Sequence, residues 1–362
     1  MKSFAPASKE PEKILLVKLG AVGDLVIASA LFDSLRKHFP RARIVLLTGK
    51  ACRRTVENNP CLDRLILADD AVIFKGSLWS RLGEVLRLVR LLRRERFDLA
   101  FVLHRAWPFN LLVALCGIPR RVGFARGREG VLLTHRVIPQ PARNERETYL
   151  DLLRALGAAV RYEGCFYYLS RQEDEFLAGF LRRHHIREED HLIAIAPGGG
   201  KNVKSVMPSR RWPAENYGRL IRNILQEFPC RILLVGGPDD RDVVSRIRLE
   251  HPQCLDATGM SFGEMASVLR RCRLFIGNNS GPLHIASAMG VPTLSFNGPI
   301  DPLEWVPPEP RNTILYKQVE CSPCYDQGRF PECSHLKCLT SISVEEAWET
   351  VAMKLEHGFK NA

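Results

Sequence analysis

The sequence predicts an α/β protein made of two Rossmann-like halves, and three observations carry that expectation. Lys13 to Lys18 (KILLVK) is an apolar run of buried-strand type, followed by the glycine-flanked stretch Leu19–Asp24 and helical apolar spacing at Leu25, Ala28, Leu31, Phe32 and Leu35. Leu274, Phe275 and Ile276 form a second such strand. Gly277 breaks it, and Asn278, Asn279 and Ser280 offer helix-capping chemistry. Gly281 to Met289 then has a helical pattern that Gly290 ends, and Thr293 to Phe296 makes the next strand. The third observation is a restart of the pattern at Leu192–Ala196, which continues through Arg231–Val235. Between Arg143 and Glu175 the pattern changes, with a helix expected over Glu147–Leu156 and polar breaks after it. The junction falls there, giving domains 1–165 and 166–362. A chain of 362 residues can fill two cores. No fixed-period repeat is visible.

Open parallel sheets bind ligands beyond the carboxyl ends of their strands, where free N–H groups at a helix N-terminus favour anions. Three turns qualify. In the first, Gly20 and Gly23 allow sharp turning and close approach, and Asp24 stands where a helix begins. Asp24 reads either as a capping carboxylate or as a general base at a site mouth. GxGxxG is absent, and no acidic residue ends the next strand, Ile44–Leu47, so dinucleotide binding is disfavoured. The second turn contributes Asn279, Ser280 and Gly281, with His284 one turn into the helix. In the third, Gly198, Gly199 and Gly200 expose backbone N–H groups, while Lys201, Lys204, Arg210 and Arg211 add positive charge. Pro213 suits the first position of a helix running to Phe228. This third turn is a cradle for a diphosphate without a Walker A pattern; the plain alternative is a solvated basic loop.

The net charge of +12 implies an anionic partner. No nucleic-acid motif accompanies it, so no nucleic-acid partner is expected. Basic residues concentrate in Ser77–Arg96, where Trp79, Leu82, Val85, Leu86, Val89 and Leu92 fall near one helical face among arginines. Such a helix either lies on an anionic membrane or packs on a core with its arginines in water. No apolar run reaches membrane-spanning length, and Met1–Glu12 lacks the apolar segment of a signal peptide. A cytoplasmic protein, peripheral on the inner membrane surface, is the expectation.

Of eleven cysteines, seven (Cys52, Cys61, Cys116, Cys165, Cys230, Cys254, Cys272) are scattered and read as small buried residues. Four cluster as Cys321-x2-Cys324-x8-Cys333-x4-Cys338, with His335 between the last two. Four thiolates match the ligand count of a structural zinc site, although the spacing is irregular for a zinc ribbon. A disulfide pair or a loop of free thiols are the alternatives. The cluster follows the sheet elements, so it is expected to lie apart from the chemistry.

The stretches KLGAVGDLVIASALFDSLRKHFP, FDLAFVLHRAWPFNLL with RRVGF after it, APGGGKNVKSVMPSRRWP, LLVGGPDDRDV and IGNNSGPLHIASAMGVPTLSFNGPIDP together carry a family resemblance. Over nearly its whole length the chain resembles the ADP-heptose:lipopolysaccharide heptosyltransferases of glycosyltransferase family 9, and the late CSPC cluster resembles members of that family too. The resemblance implies a GT-B fold, two Rossmann-like domains facing a cleft, with a last helix near Val344–His357 packing back on the first domain. It implies inverting transfer of a heptose from ADP-heptose to a hydroxyl of the lipopolysaccharide inner core, with the nucleotide on the second domain and the acceptor on the first. No cofactor is required for that catalysis.

Carried over by motif, Asp24 matches the family's proposed general base. Arg210 stands where the family usually has a donor-phosphate lysine, and His284 matches the histidine of the second-domain motif. Asn279 departs from the family's usual Asp, which removes a charge toward the sugar and bears on donor preference. A catalytically weak nucleotide- or lipid-binding relative, or a member using another nucleotide sugar, is the alternative. A nicotinamide-dependent dehydrogenase or epimerase would need GxGxxG or a Tyr-x3-Lys pair, and neither is seen.

Overall fold

The computed structural model describes residues 10–125, 127–199, 207–325 and 332–360. Gly200, Lys201 and Lys204 of the expected cradle lie outside them. Two compact units result. The first comprises Met1–Gly20, Ala28–Arg53 and Asn59–Gly164; the second comprises Cys165–Ala362 together with Ala21–Ile27 and Arg54–Asn58.

In the first unit, β1 (Lys13–Val17), β2 (Arg43–Gly49), β3 (Arg64–Ala68), β4 (Leu99–Val102), β5 (Arg120–Phe124) and β6 (His135–Val137) form one sheet in the order β3-β2-β1-β4-β5-β6. Every pairing is parallel. The central strands are buried almost throughout, so their sequences run as continuous apolar stretches instead of alternating. One face is covered by a core of Leu15, Val17, Val45, Leu47, Leu88, Leu92, Phe97 and their neighbours.

The second unit repeats the plan. Its strands β7 (His191–Ala196), β8 (Cys230–Gly236), β9 (Leu255–Thr258), β10 (Leu274–Asn278), β11 (Thr293–Asn297) and β12 (Asn312–Tyr316) are ordered β12-β11-β10-β7-β8-β9, again all parallel. Counted from its own first strand, this is the 3-2-1-4-5-6 order of the first sheet. Strand order therefore reverses between β1 and β4 in one unit and between β7 and β10 in the other, the positions where doubly wound sheets bind ligands.

The helix Ala214–Glu227 shows why these segments fold as they do. Tyr217, Leu220, Ile221 and Ile224 repeat at helical spacing, and all four are buried. Each such burial contributes about 1.5–3 kcal/mol. Pro213, expected inside this helix, is its extended cap residue; the helix starts at Ala214. In the last helix, Val344–Lys360, Val344, Ala347, Val351 and Leu355 join the core of the second unit, against the apolar stripe of the helix Ala214–Glu227.

Candidate functional site

The site in the second unit is built where β7 and β10 end. Asn278 closes β10 and is 1% exposed. Its amide nitrogen donates to the carbonyls of Pro197 (3.1 Å) and Gly198 (2.9 Å), tying the turn after β7 to the strand beside it. Its carbonyl oxygen accepts from the Trp212 main-chain N–H (2.9 Å) and the Tyr217 hydroxyl (3.1 Å). A buried amide with every bond made is costly to disturb. Asn278 was read only as capping chemistry; its structural role depends on β7 and β10 being neighbours, which local sequence does not show.

The glycine turn is shaped by a residue the sequence reading did not single out. Asp240 accepts from the N–H of Gly199 (3.0 Å) and of Gly237 (2.9 Å), and Arg211 lies 3.3 Å from it. Arg211 also donates to the Gly199 carbonyl at 2.8 Å. Of the expected N–H donors of the cradle, that of Gly199 is committed to Asp240. The glycines are needed for space. A Cβ at Gly198 would sit 2.1 Å from an Asp240 oxygen, and one at Gly199, whose φ is +93°, would sit 2.8 Å from the Ser280 Cβ. Arg211 is likewise a structural partner here. The signal for Asp240 was present in the LLVGGPDD stretch, but its target lies 41 residues away.

Arg210 ends a short 3-10 turn, Pro208–Arg210, and donates to the main-chain carbonyl of Asn279. Burial pulls its guanidinium down to about 10, opposed by Tyr325 and Asp24. It remains a cation at neutral pH, held in a low-dielectric setting where a charge acts strongly on an anion. Asn279 is 5% exposed, and its amide nitrogen donates to Asn297 at 3.0 Å; the Asn297 amide in turn donates to Ser295 at 3.0 Å. A neutral amide at position 279 thus has an internal partner.

Ser280 precedes the helix Gly281–Ala288 in an extended conformation, and its side chain makes no capping bond; the hydroxyl donates to the Asn278 carbonyl instead. The first turn of this helix is an anion-favouring terminus without a side-chain cap. His284 is buried within it. Asp24 lies in the first turn of the helix Val22–His38, half-buried, in the segment Ala21–Ile27 that packs with the second unit. A Cβ at Gly23 would come 2.8 Å from His284, so glycine there allows the close approach. The structure accordingly brings together Asp24, Gly23, Gly198, Gly199, Arg210, Asn279, Ser280, Gly281 and His284 in one unit.

Gly20 belongs to the first unit, where a Cβ would meet the Cys52 sulfur at 3.3 Å. Around the ends of β1 and β4 that unit holds polar groups not singled out from sequence. His104 accepts from the Leu19 N–H at 2.9 Å and stacks on Phe109. Lys18 lies 5.5 Å over the Tyr149 ring, and Arg105 pairs with the buried Glu145.

The four clustered cysteines line one small cavity together with Ser209, Pro299 and Leu336. This corrects their expected separation from the site, since Ser209 adjoins Arg210. Among the described residues, no three His, Cys, Asp or Glu side chains are gathered as a ready metal-ligand set.

The model of glycosyltransferase family 9 (heptosyltransferase) matches residues 85–335. A lipooligosaccharide heptosyltransferase 2 of Haemophilus ducreyi is 26% identical over 330 residues, covering 85% of this chain and 89% of that protein. The solved glycosyl transferase family 9 structure from Veillonella parvula superposes with a TM-score of 0.82 at 22% identity, covering 96% of this chain and 97% of that one. Escherichia coli ADP-heptose lps heptosyltransferase II superposes with a TM-score of 0.76 at 21% identity, covering 97% and 100%. At such identities the likeness shows the fold, which is GT-B.

Proposed function

The chain belongs to glycosyltransferase family 9, and from that premise we propose that this glycosyltransferase moves a heptose from ADP-heptose to the inner core of lipopolysaccharide with inversion. One observation carries the reading: a buried arginine, Arg210, is joined to the loop that opens an uncapped helix N-terminus, and the Asp24 carboxylate packs in the same unit. That is the equipment for receiving a diphosphate leaving group and removing a hydroxyl proton.

The donor's diphosphate meets Arg210 and the first turn of Gly281–Ala288. As the bond from the anomeric carbon to the ADP oxygen breaks, charge grows on that diphosphate, and a fixed cation with aligned backbone dipoles stabilises it without reorganising. Asp24 takes the proton of the attacking acceptor hydroxyl, a role that contributes about 10²–10⁴-fold.

The acceptor is a membrane lipid in this reading, and the helix Leu78–Glu95 supports a peripheral position. Leu88 and Leu92 anchor it in the core, while Leu78 (76% exposed), Trp79 (79%), Leu82 and Leu86 are exposed toward its N-terminal half and Arg90, Arg93 and Arg94 are exposed toward its C-terminal end. A helix with exposed apolar side chains and exposed arginines fits an anionic bilayer surface. Among the described residues no helix is long and apolar enough to cross a membrane.

The test is a donor screen with purified protein and a truncated lipopolysaccharide acceptor, with product identified by mass spectrometry. Heptose added from ADP-heptose alone is expected. Turnover of a different nucleotide sugar would replace the donor assignment, and donor binding without turnover would favour a catalytically weak relative.

A further inference from the structure

We propose that Asn297 is a positioning residue which, with Ser295, turns the side-chain oxygen of Asn279 outward to accept a hydrogen bond from a hydroxyl of the nucleotide-sugar donor. The inference rests on the donor reading of the Arg210 site. Asn279, Asn297 and Ser295 form a hydrogen-bonded line beside the loop after β10. The Asn279 amide nitrogen lies 3.0 Å from the Asn297 side-chain oxygen, and the Asn297 amide nitrogen lies 3.0 Å from the Ser295 hydroxyl. That hydroxyl lies 3.5 Å from the main-chain carbonyl of Thr313 on β12. Asn297 and Ser295 are fully buried, so bulk water does not stand in for these partners.

The far end sets the polarity of the line. A main-chain carbonyl can only accept, so the Ser295 proton goes to Thr313. The Ser295 oxygen is then the acceptor for the Asn297 amide, and the Asn297 oxygen is the acceptor for the Asn279 amide. Reversing both amides would spend the serine proton on Asn297 and forfeit the bond to Thr313, and buried polar groups are rarely left unpaired. The network thereby chooses between the two amide orientations.

The Asn279 oxygen is thus turned out of the line. Among the described residues no donor bonds it, and it is not one of the unpartnered atoms closed off from solvent. The main-chain carbonyl of the same residue holds Arg210, the cation assigned to the diphosphate. An amide oxygen offers only lone pairs, so it repels a phosphate oxygen and matches a hydroxyl. The donor carries hydroxyls on both sides of its diphosphate, on the transferred sugar and on the ribose. A site built to bond a hydroxyl rejects a ligand that lacks it, because its own polar group is then left unpaired. Being neutral, the amide does this without placing a further negative charge beside the diphosphate.

Calorimetry reads the contact as a pair of affinity ratios. ADP-heptose against ADP reports the hydroxyls of the transferred sugar, and ADP against 2′- and 3′-deoxy-ADP reports those of the ribose. In Asn279→Ala and in Asn297→Leu one of these ratios is expected to fall by about three- to tenfold from its parental value, the worth of one hydrogen bond. Which ratio falls tells the sugar from the ribose. Asn297→Asp, which still accepts from the Asn279 amide, should keep the parental ratio. Should Asn297→Leu fail to fold, Ser295→Ala replaces it: the line then loses the group that sets its polarity, and the same ratio should fall. A purely structural role would weaken every ligand alike and leave both ratios unchanged, which would overturn the proposal. Absence of heptose transfer by the parent would end the transferase reading, whereas these ratios are read from binding alone.

Discussion

The guanidinium of Arg210 donates to the main-chain carbonyl of Asn279, joining the basic turn after β7 to the loop after β10 across 69 residues of sequence. One side chain thus fixes the loop that begins the helix Gly281–Ala288 and keeps a buried positive charge beside it. In the proposed donor site, donor affinity and loop position would be coupled through this residue.

Arg210→Ala is therefore expected to weaken ADP and ADP-sugar binding to the same extent, because the proposed contact is with phosphate. A loss of about 1.5–3 kcal/mol fits a hydrogen bond to a charged group. Arg210→Lys should recover only part of it, since a lysine ammonium lacks the planar fork. Calorimetry with ADP settles the point: unchanged affinity in the alanine variant would remove Arg210 from the donor site.

Asp24→Asn should leave donor affinity close to the parent value and reduce turnover by about 10²–10⁴-fold. Binding by calorimetry and turnover by product mass, measured on the same preparation, separate the two effects. Near-normal turnover would end the assignment of Asp24 as the base.

Gly198→Ala tests the shape of the turn after β7. Its Cβ would fall 2.1 Å from an Asp240 oxygen, and Asp240 holds the Gly199 and Gly237 N–H groups. Overpacking of a fitted site costs about 1–3 kcal/mol. Thermal unfolding should show that loss together with weaker ADP binding. A variant with parental stability and affinity would mean that Asp240 can move aside freely.

Replacing Leu78 and Trp79 by Ser should lower binding to anionic vesicles while leaving turnover on a soluble, truncated acceptor unchanged. Both side chains are mostly exposed, so folding loses little. Vesicle sedimentation measures the effect, and rising salt should weaken the arginine contribution in the parent. Equal sedimentation of parent and variant would refute the membrane face.

Thiol labelling gives a pH-dependent check on the cysteine cavity. Burial, with the neighbouring thiols adding, pushes Cys338 up to about 11. Its thiolate, the reactive form, is scarce below that value and grows as pH rises toward it. In chelator-treated protein at about pH 8, the exposed Cys321 should alkylate first and Cys338 last. Labelling of Cys338 as fast as Cys321 would contradict its buried position.

What the sequence determined by itself was the kind of structure and the location of its turns. Continuous apolar runs such as Leu192–Ala196, short and bounded by glycine turns, read as strands buried on both faces, and helical spacing after each glycine turn gives the strand–helix alternation. Asp24, Gly198, Arg210 and His284 stood out because they occupy those turns. Tertiary structure decided which turns meet. Asn278 reaches Pro197 and Gly198 only because β10 lies beside β7, and Asp240 claims the Gly199 N–H only because β8 lies on the other side. The packing partners of the last helix within its unit and of the cysteine loop were not legible for the same reason. Periodicity and ligand count report what a segment can bury or bind, whereas its partner is set by contacts across the chain, here the apolar stripe of Ala214–Glu227 and the carbonyls of Gly298 and Pro299.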